Sequence, residues 1–114
     1  MAITMRGVPL VLVLGLCAAP RAAVADDAVA KLFRARCATC HGAAGDGNTA
    51  SGRKLGVKNW RAARILPRLS DGEIARIVRE GVKGKGGKWA MAPFPKLSDE
   101  QIASLTAHMR ALAK

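Results

Sequence analysis

Aromatic residues are nearly missing from this sequence. Its 114 residues include no tyrosine, two phenylalanines and two tryptophans. With so few, a short chain is marginal for a self-sufficient core. Acids are scarce as well: 8 Asp and Glu stand against 19 Lys and Arg, a formal net charge of +11. That balance suits acidic partners or anionic surfaces. No nucleic-acid-binding motif accompanies it, which argues against a nucleic-acid ligand. A long apolar run is missing too. Val8 to Ala19 falls short of the roughly 20 residues that a membrane span needs. No period-two alternation persists long enough to make a confident strand, so the expected class is all-α.

What is present begins with a leader. Arg6 gives a positive start, Val8 to Ala19 an apolar stretch, and Ala23-Val24-Ala25 a small-x-small cleavage site before Asp26. Residues 1–25 read as a secretory signal peptide and 26–114 as one small domain. Pro20 and Arg21 close the apolar stretch and disfavour an uncleaved anchor, so no integral span is expected after cleavage. Leu16 stands where a lipoprotein signal wants a small residue before Cys17. Cleavage takes Arg6 and Arg21, so the remaining 89 residues keep 17 bases and all 8 acids, net +9. The expected compartment is the periplasm.

Cys37-Ala38-Thr39-Cys40-His41 carries the chemistry. Two cysteines three apart with a histidine directly after the second read as a covalent c-type haem attachment site. Each thiol adds across one vinyl group on the same porphyrin edge, and residues i and i+3 of a helical turn project the same way. His41 then lies beside the tethered ring as the proximal iron ligand. A disulfide between Cys37 and Cys40 leaves His41 unexplained. A thioredoxin-like motif needs a βαβ context. A zinc site wants four ligands, and beyond Cys37, Cys40 and His41 only distant His108 is on offer. A buried haem also supplies the apolar centre that the short chain lacks, so the apoprotein is expected to fold poorly.

Helix signals dominate the rest. Ala28, Leu32 and Phe33 predict a helix over 27–39 leading into the motif. Gly42 to Gly56, rich in Gly, Ser, Asn and Asp, reads as a loop around the haem. A short helix over 59–66 should stop at Pro67. Leu69-Ser70-Asp71-Gly72-Glu73-Ile74 and Leu97-Ser98-Asp99-Glu100-Gln101-Ile102 are near repeats, each a capping box with a hydrophobic staple. The first opens a helix burying Ile74, Ile77 and Val78 and ending at Gly81. The second opens a helix burying Ile102, Leu105, Met109 and Leu112. Between them, Gly81 to Lys96 holds four glycines and two prolines, which argue against a regular element over most of it.

The iron needs a sixth ligand or an open site. Met91 lies in the Pro-stiffened Ala92-Pro93-Phe94-Pro95 loop, where a backbone can carry a thioether up to a flat ring. Met109 falls on the apolar stripe of the last helix, the usual place of a core methionine. His108 lies off that stripe, where a lone histidine is more often structural. Met91 is the expected ligand, packing against the haem being the alternative. His/Met ligation raises the reduction potential relative to two histidines. A six-coordinate iron leaves no position for substrate, which favours a carrier over an enzyme.

From about Asp27 to Lys114 the chain resembles a class I (monohaem) cytochrome c of the small bacterial type. The resemblance rests on Leu32-Phe33, the Cys37–His41 motif, Gly42, Gly45-Asp46-Gly47, Met91-Ala92-Pro93-Phe94 and the last capping box. It implies a small cytochrome c fold of three to four helices around one haem c, with first and last helices crossing. It also implies His41 proximal, Met91 distal and outer-sphere electron transfer at an exposed haem edge. It makes Trp60 a candidate donor to a haem propionate, with core packing the alternative. Three positions depart from the family. Val29 stands where a glycine is usual, and Ala107-His108-Met109 where an aromatic is usual. Residues 48–56 hold no proline whose carbonyl would receive the second His41 nitrogen.

The expected function is that of a monomeric periplasmic one-electron carrier, not an enzyme. Lys83, Lys85 and Lys88 would steer redox proteins with acidic docking surfaces. Two alternatives stand beside it. A labile Met91, freed by the Gly84, Gly86 and Gly87 stretch, would open a site for a small ligand or peroxide. The same domain would equally serve as a fixed electron-transfer subunit of a dehydrogenase or oxidase.

Overall fold

The computed structural model describes residues 21–114, together with Gly7, Leu12 and Gly15, with side-chain surroundings from Asp26 onward. Those three aside, residues 1–20 of the expected leader lie outside the described residues. Six α-helices occur among the described residues: α1 (Arg21–Arg36), α2 (Ala38–His41), α3 (Ala50–Leu55), α4 (Trp60–Ala63), α5 (Asp71–Glu80) and α6 (Asp99–Leu112). Three of these are short; α1, α5 and α6 form the frame, with α6 packed on both of the others. The expected cleavage point after Ala25 falls inside α1.

Both capping boxes form as the sequence predicts. The Ser70 hydroxyl accepts from the Glu73 amide at 3.1 Å, and the Glu73 carboxylate accepts from the Ser70 amide at 2.7 Å. Ser98 and Gln101 repeat this at 3.1 and 2.9 Å. The capped helices then bury Ile74 and Val78 from α5 and Ile102, Leu105 and Met109 from α6. Val29 and Phe33 of α1 complete the crossing, and Phe33 is only 1% exposed. Each such side chain contributes about 1.5–3 kcal/mol by leaving water. Ile77 and Leu112 are only partly buried. Thr106 is buried instead, its hydroxyl donating back to the Ile102 carbonyl at 2.8 Å.

The stretches read as loops contain more order than expected. Within Gly42–Gly56 lies α3, capped by Thr49, whose hydroxyl accepts from the Gly52 amide at 2.8 Å. The same hydroxyl donates to the Cys40 carbonyl at 3.2 Å, so this segment is tied to the cysteine motif. The expected 59–66 helix stops earlier, at Ala63, because Arg64 turns left-handed with φ of 50°. Pro67 sits in a following 3-10 turn, Leu66–Arg68.

Within Gly81–Lys96 lies a two-stranded antiparallel hairpin, β1 (Val82–Lys83) with β2 (Trp89–Met91), a short regular element in a stretch expected to be irregular over most of its length. Val82 pairs with Met91 and Lys83 with Trp89 across an irregular register. Strands this short leave no alternation to read in sequence. Gly81 opens the hairpin at φ of +70°, and a Cβ there would stand 2.5 Å from the Met91 carbonyl oxygen. Only glycine therefore lets the end of α5 come this close to the Met91 segment.

Candidate functional site

The amide of Cys37 donates to Phe33 at 2.8 Å and continues α1 for one more bond. The chain then turns at Cys37 and recoils as α2, with the His41 amide bonded to the Cys37 carbonyl at 2.9 Å. Cys37, Cys40 and His41 thus share one short coil, as the spacing requires. All three line a single cleft whose empty space, mouth included, is about 1060 Å³. Val78 of α5 and Leu105 and Met109 of α6 make its interior apolar. Met91 and Phe94, from β2 and the segment after it, reach the same cleft. Leu55 and Trp89 line it while remaining 45% and 46% exposed, so its mouth is apolar as well.

Cys37 and Cys40 are free thiols, both half-buried. Burial, and secondarily the neighbouring Cys40, push the Cys37 thiol up to about 11. Burial holds the His41 imidazole below its ordinary value of 6.5, which favours the neutral ring a metal requires. Its Nδ1 atom is buried without a hydrogen-bond partner among the described residues. Two free thiols, a neutral imidazole and a thioether around an apolar cleft fit a flat, covalently tethered haem in their chemistry.

All four residues singled out by sequence, Cys37, Cys40, His41 and Met91, therefore line one cleft. Met109 lines it too, although its place in the core is the one its stripe predicts. Trp60 is buried outside the cleft lining and stacks on His41, with ring centroids 4.8 Å apart and planes 29° from parallel. This is the core-packing alternative for Trp60. Sequence reasoning missed the stack, for which the sequence carries no periodic signal. His108 is half-buried and lies against Phe33. Sequence reasoning also missed Leu55 and Val57, which α3 and its exit bring to the cleft.

Comparison with known proteins gives the same picture. Residues 24–109 match the family described as cytochrome c oxidase, cbb3-type, subunit III. The chain is 38% identical over 95 residues to the cbb3-type cytochrome c oxidase subunit FixP of Azorhizobium caulinodans. That match covers 83% of this chain and spans 30% of the relative's length. A solved structure, the KustC0563 c-type cytochrome, superposes with a TM-score of 0.61 at 30% identity, covering 75% of this chain and 96% of that one.

Proposed function

The chain belongs to the cytochrome c oxidase, cbb3-type, subunit III family and is an electron-transfer protein with covalent haem c, and we propose that Cys37 and Cys40 form the thioethers and His41 and Met91 the axial ligands. When bound, the haem supplies a one-electron couple. The chain's own residues do the rest. Cys37 and Cys40 tether it, His41 offers a neutral imidazole, and Met91 offers a soft thioether that raises the potential. The apolar walls exclude water, and the mouth at Leu55 and Trp89 lets an electron pass without substrate entering. The observation that supports this is the convergence of Cys37, Cys40, His41 and Met91 on one apolar cleft. The protein works in the periplasm after cleavage near Ala25, exchanges electrons with redox proteins and catalyses no reaction of its own.

The test is an absorption spectrum of protein made with the haem-attachment machinery. Sharp reduced c-type bands and a weak far-red sulfur-to-iron band in the oxidised state are expected. Met91→Ala should lose the sulfur band, whereas Met109→Leu should keep it. Loss of the band in Met109→Leu alone would transfer the ligand role to Met109. Rapid carbon monoxide binding by the reduced native protein would favour the labile-Met91 alternative. A second reading, a fixed oxidase subunit, is favoured by the identity to FixP. Co-purification with an oxidase from membranes, against release alone from the periplasm, separates the two.

A further inference from the structure

Gly47 to Ser70 and Gln101 to Lys114 carry bases but no acid. The first stretch holds α4 and the 3-10 turn Leu66–Arg68, and the second holds most of α6, which packs on that turn. Between them lies a recess whose empty space, mouth included, is about 900 Å³. Its bases are Arg61, Arg64, Arg110 and Lys114, and its apolar lining is Leu66, Pro67 and Ala113. It shares no lining residue with the cleft of Cys37, Cys40, His41 and Met91.

These bases are not equally engaged. The Arg110 guanidinium is committed to the Leu66 and Leu69 carbonyls and to Asp71. Arg61 reaches only the Leu112 carbonyl, at 3.5 Å. Neither Arg61 nor Arg64 forms an ion pair among the described residues. The backbone that presents them is strained. Arg64 is the one non-glycine of positive φ among the described residues, at 50°. Arg68 braces that turn: its Nε donates to the Arg64 carbonyl at 3.0 Å and its Nη2 to the Ala63 carbonyl at 2.7 Å. Strain that neighbouring groups hold in place points to a use for the site. Here it displays Arg64 in the recess beside Arg61.

The kind of base narrows the ligand. Lysines crowd the hairpin at the cleft mouth (Lys83, Lys85 and Lys88), whereas arginines dominate the recess. A planar guanidinium matches the oxygens of a phosphate and is more weakly hydrated than an ammonium. Arg61 and Arg64 are both exposed, so one dissolved anion gains little from pairing with them. A bilayer rich in anionic phospholipid presents many phosphates at once and attracts every base near its surface. No helix among the described residues is long and apolar enough to cross a membrane. Any hold that these residues have on a bilayer is therefore a surface contact.

We propose that Arg61 and Arg64 dock this domain on the phosphate headgroups of an anionic bilayer, leaving the cleft mouth open to redox partners. The proposal is independent of which residues ligate the iron.

The experiment sediments the haem-loaded protein with vesicles of phosphatidylcholine, alone or with about one third phosphatidylglycerol, at low ionic strength. Binding is expected to the second kind only. Arg61→Gln combined with Arg64→Gln should weaken it about twentyfold. Replacing Lys83, Lys85 and Lys88 together by Gln should weaken it by less than about threefold, because these bases face away from the headgroups. Hydrogen exchange of the bound wild type should slow over Arg61–Leu69 and Arg110–Lys114 and stay unchanged over Val82–Met91. Equal binding to both kinds of vesicle overturns the proposal. So does a lysine variant weakened as far as the arginine variant, or protection confined to the hairpin. Displacement by polyglutamate at matched charge would assign the recess to an acidic protein instead. Displacement by inorganic phosphate, but not by chloride at matched ionic strength, would assign it to a free anion. Either result also overturns bilayer docking. Should the arginine variant fail to hold haem, the exchange pattern of the wild type decides.

Discussion

The His108 ring lies 4.9 Å from the Phe33 ring where α6 meets α1, with planes 54° apart. Val29, one helical turn before Phe33, is buried in the same core. The resemblance to small cytochromes, where a glycine and an aromatic are usual at these places, makes Val29 and His108 a candidate compensating pair, and compensation has a measurable consequence. Val29→Gly should then destabilise the haem protein by about 2 kcal/mol, from lost burial and glycine's helix cost. His108→Ala should cost about 1 kcal/mol through the lost ring pair. Val29→Gly with His108→Phe should recover part of the loss. Urea unfolding measures all three, and a stabilised Val29→Gly single variant rules out compensation.

Arg110 joins α6 to the start of α5. Its guanidinium donates to the Leu66 and Leu69 carbonyls, each at 2.7 Å, and to the Asp71 carboxylate at 2.7 Å. The two carbonyls would otherwise face the helix junction without these charged donors. Arg110→Met should cost about 2 kcal/mol in urea unfolding. Arg110→Lys should restore only part, since a point charge cannot reach three acceptors in fork geometry. Asp71 is exposed, so Asp71→Asn should change stability by less than about 0.5 kcal/mol. An Asp71→Asn loss as large as that of Arg110→Met would move the weight from the carbonyls to the ion pair.

The two capping boxes share geometry but only one can titrate. The Ser70 amide first, and the Ser70 hydroxyl second, hold the Glu73 carboxyl below its ordinary value of 4.5. On acidification the unfolded chain takes up this proton before the folded one does. The contribution is therefore complete above about 4.5 and is lost as pH falls through the lower folded value. Gln101 has no such proton. Glu73→Gln should flatten the acid limb of stability below about pH 4.5, and Gln101→Glu should steepen it. Hydrogen exchange at the first turns of α5 and α6 locates the effect. An unchanged acid limb in Glu73→Gln places the proton uptake elsewhere.

Much of this architecture was legible in the chain. The Ser-x-x-Glu and Ser-x-x-Gln signals start α5 and α6 at the right residues, because capping chemistry is local. The apolar spacing names Ile74, Val78, Ile102, Leu105 and Met109 correctly, because helical period decides which face meets the core. The cysteine motif finds one wall of the cleft on its own, and Met91 is brought to the same cleft by a hairpin too short to announce itself. What was hidden depends on contacts across the fold. The stack of Trp60 on His41 needs the bare backbone at Gly45, which has no periodic signature. Thr49 caps a helix with no apolar stripe, so α3 reads as loop.

Lys83 sits over the Trp89 ring at 3.4 Å, so a charge and an aromatic face are paired at the cleft mouth. The sequence from Gly47 to Ser70 and from Gly81 to Ser98, which supplies both Leu55 and Trp89, contains no acid. The segments that form the mouth therefore contribute charge of positive sign only. Charge of one sign around an apolar mouth accelerates encounter with opposite charge and falls off with salt. Oxidation of the reduced haem protein by anionic hexacyanoferrate should slow about tenfold between low and near-molar ionic strength. Oxidation by a cationic cobalt complex should show the reverse slope. Replacing Lys83, Lys85 and Lys88 together by Gln should flatten both slopes without altering the sulfur-to-iron band. Replacing Lys83 alone should weaken the slope less, while freeing the Trp89 ring and changing its fluorescence, because the cation–π pair is lost. A salt response that is flat in the native protein would show that the basic mouth does not steer partners.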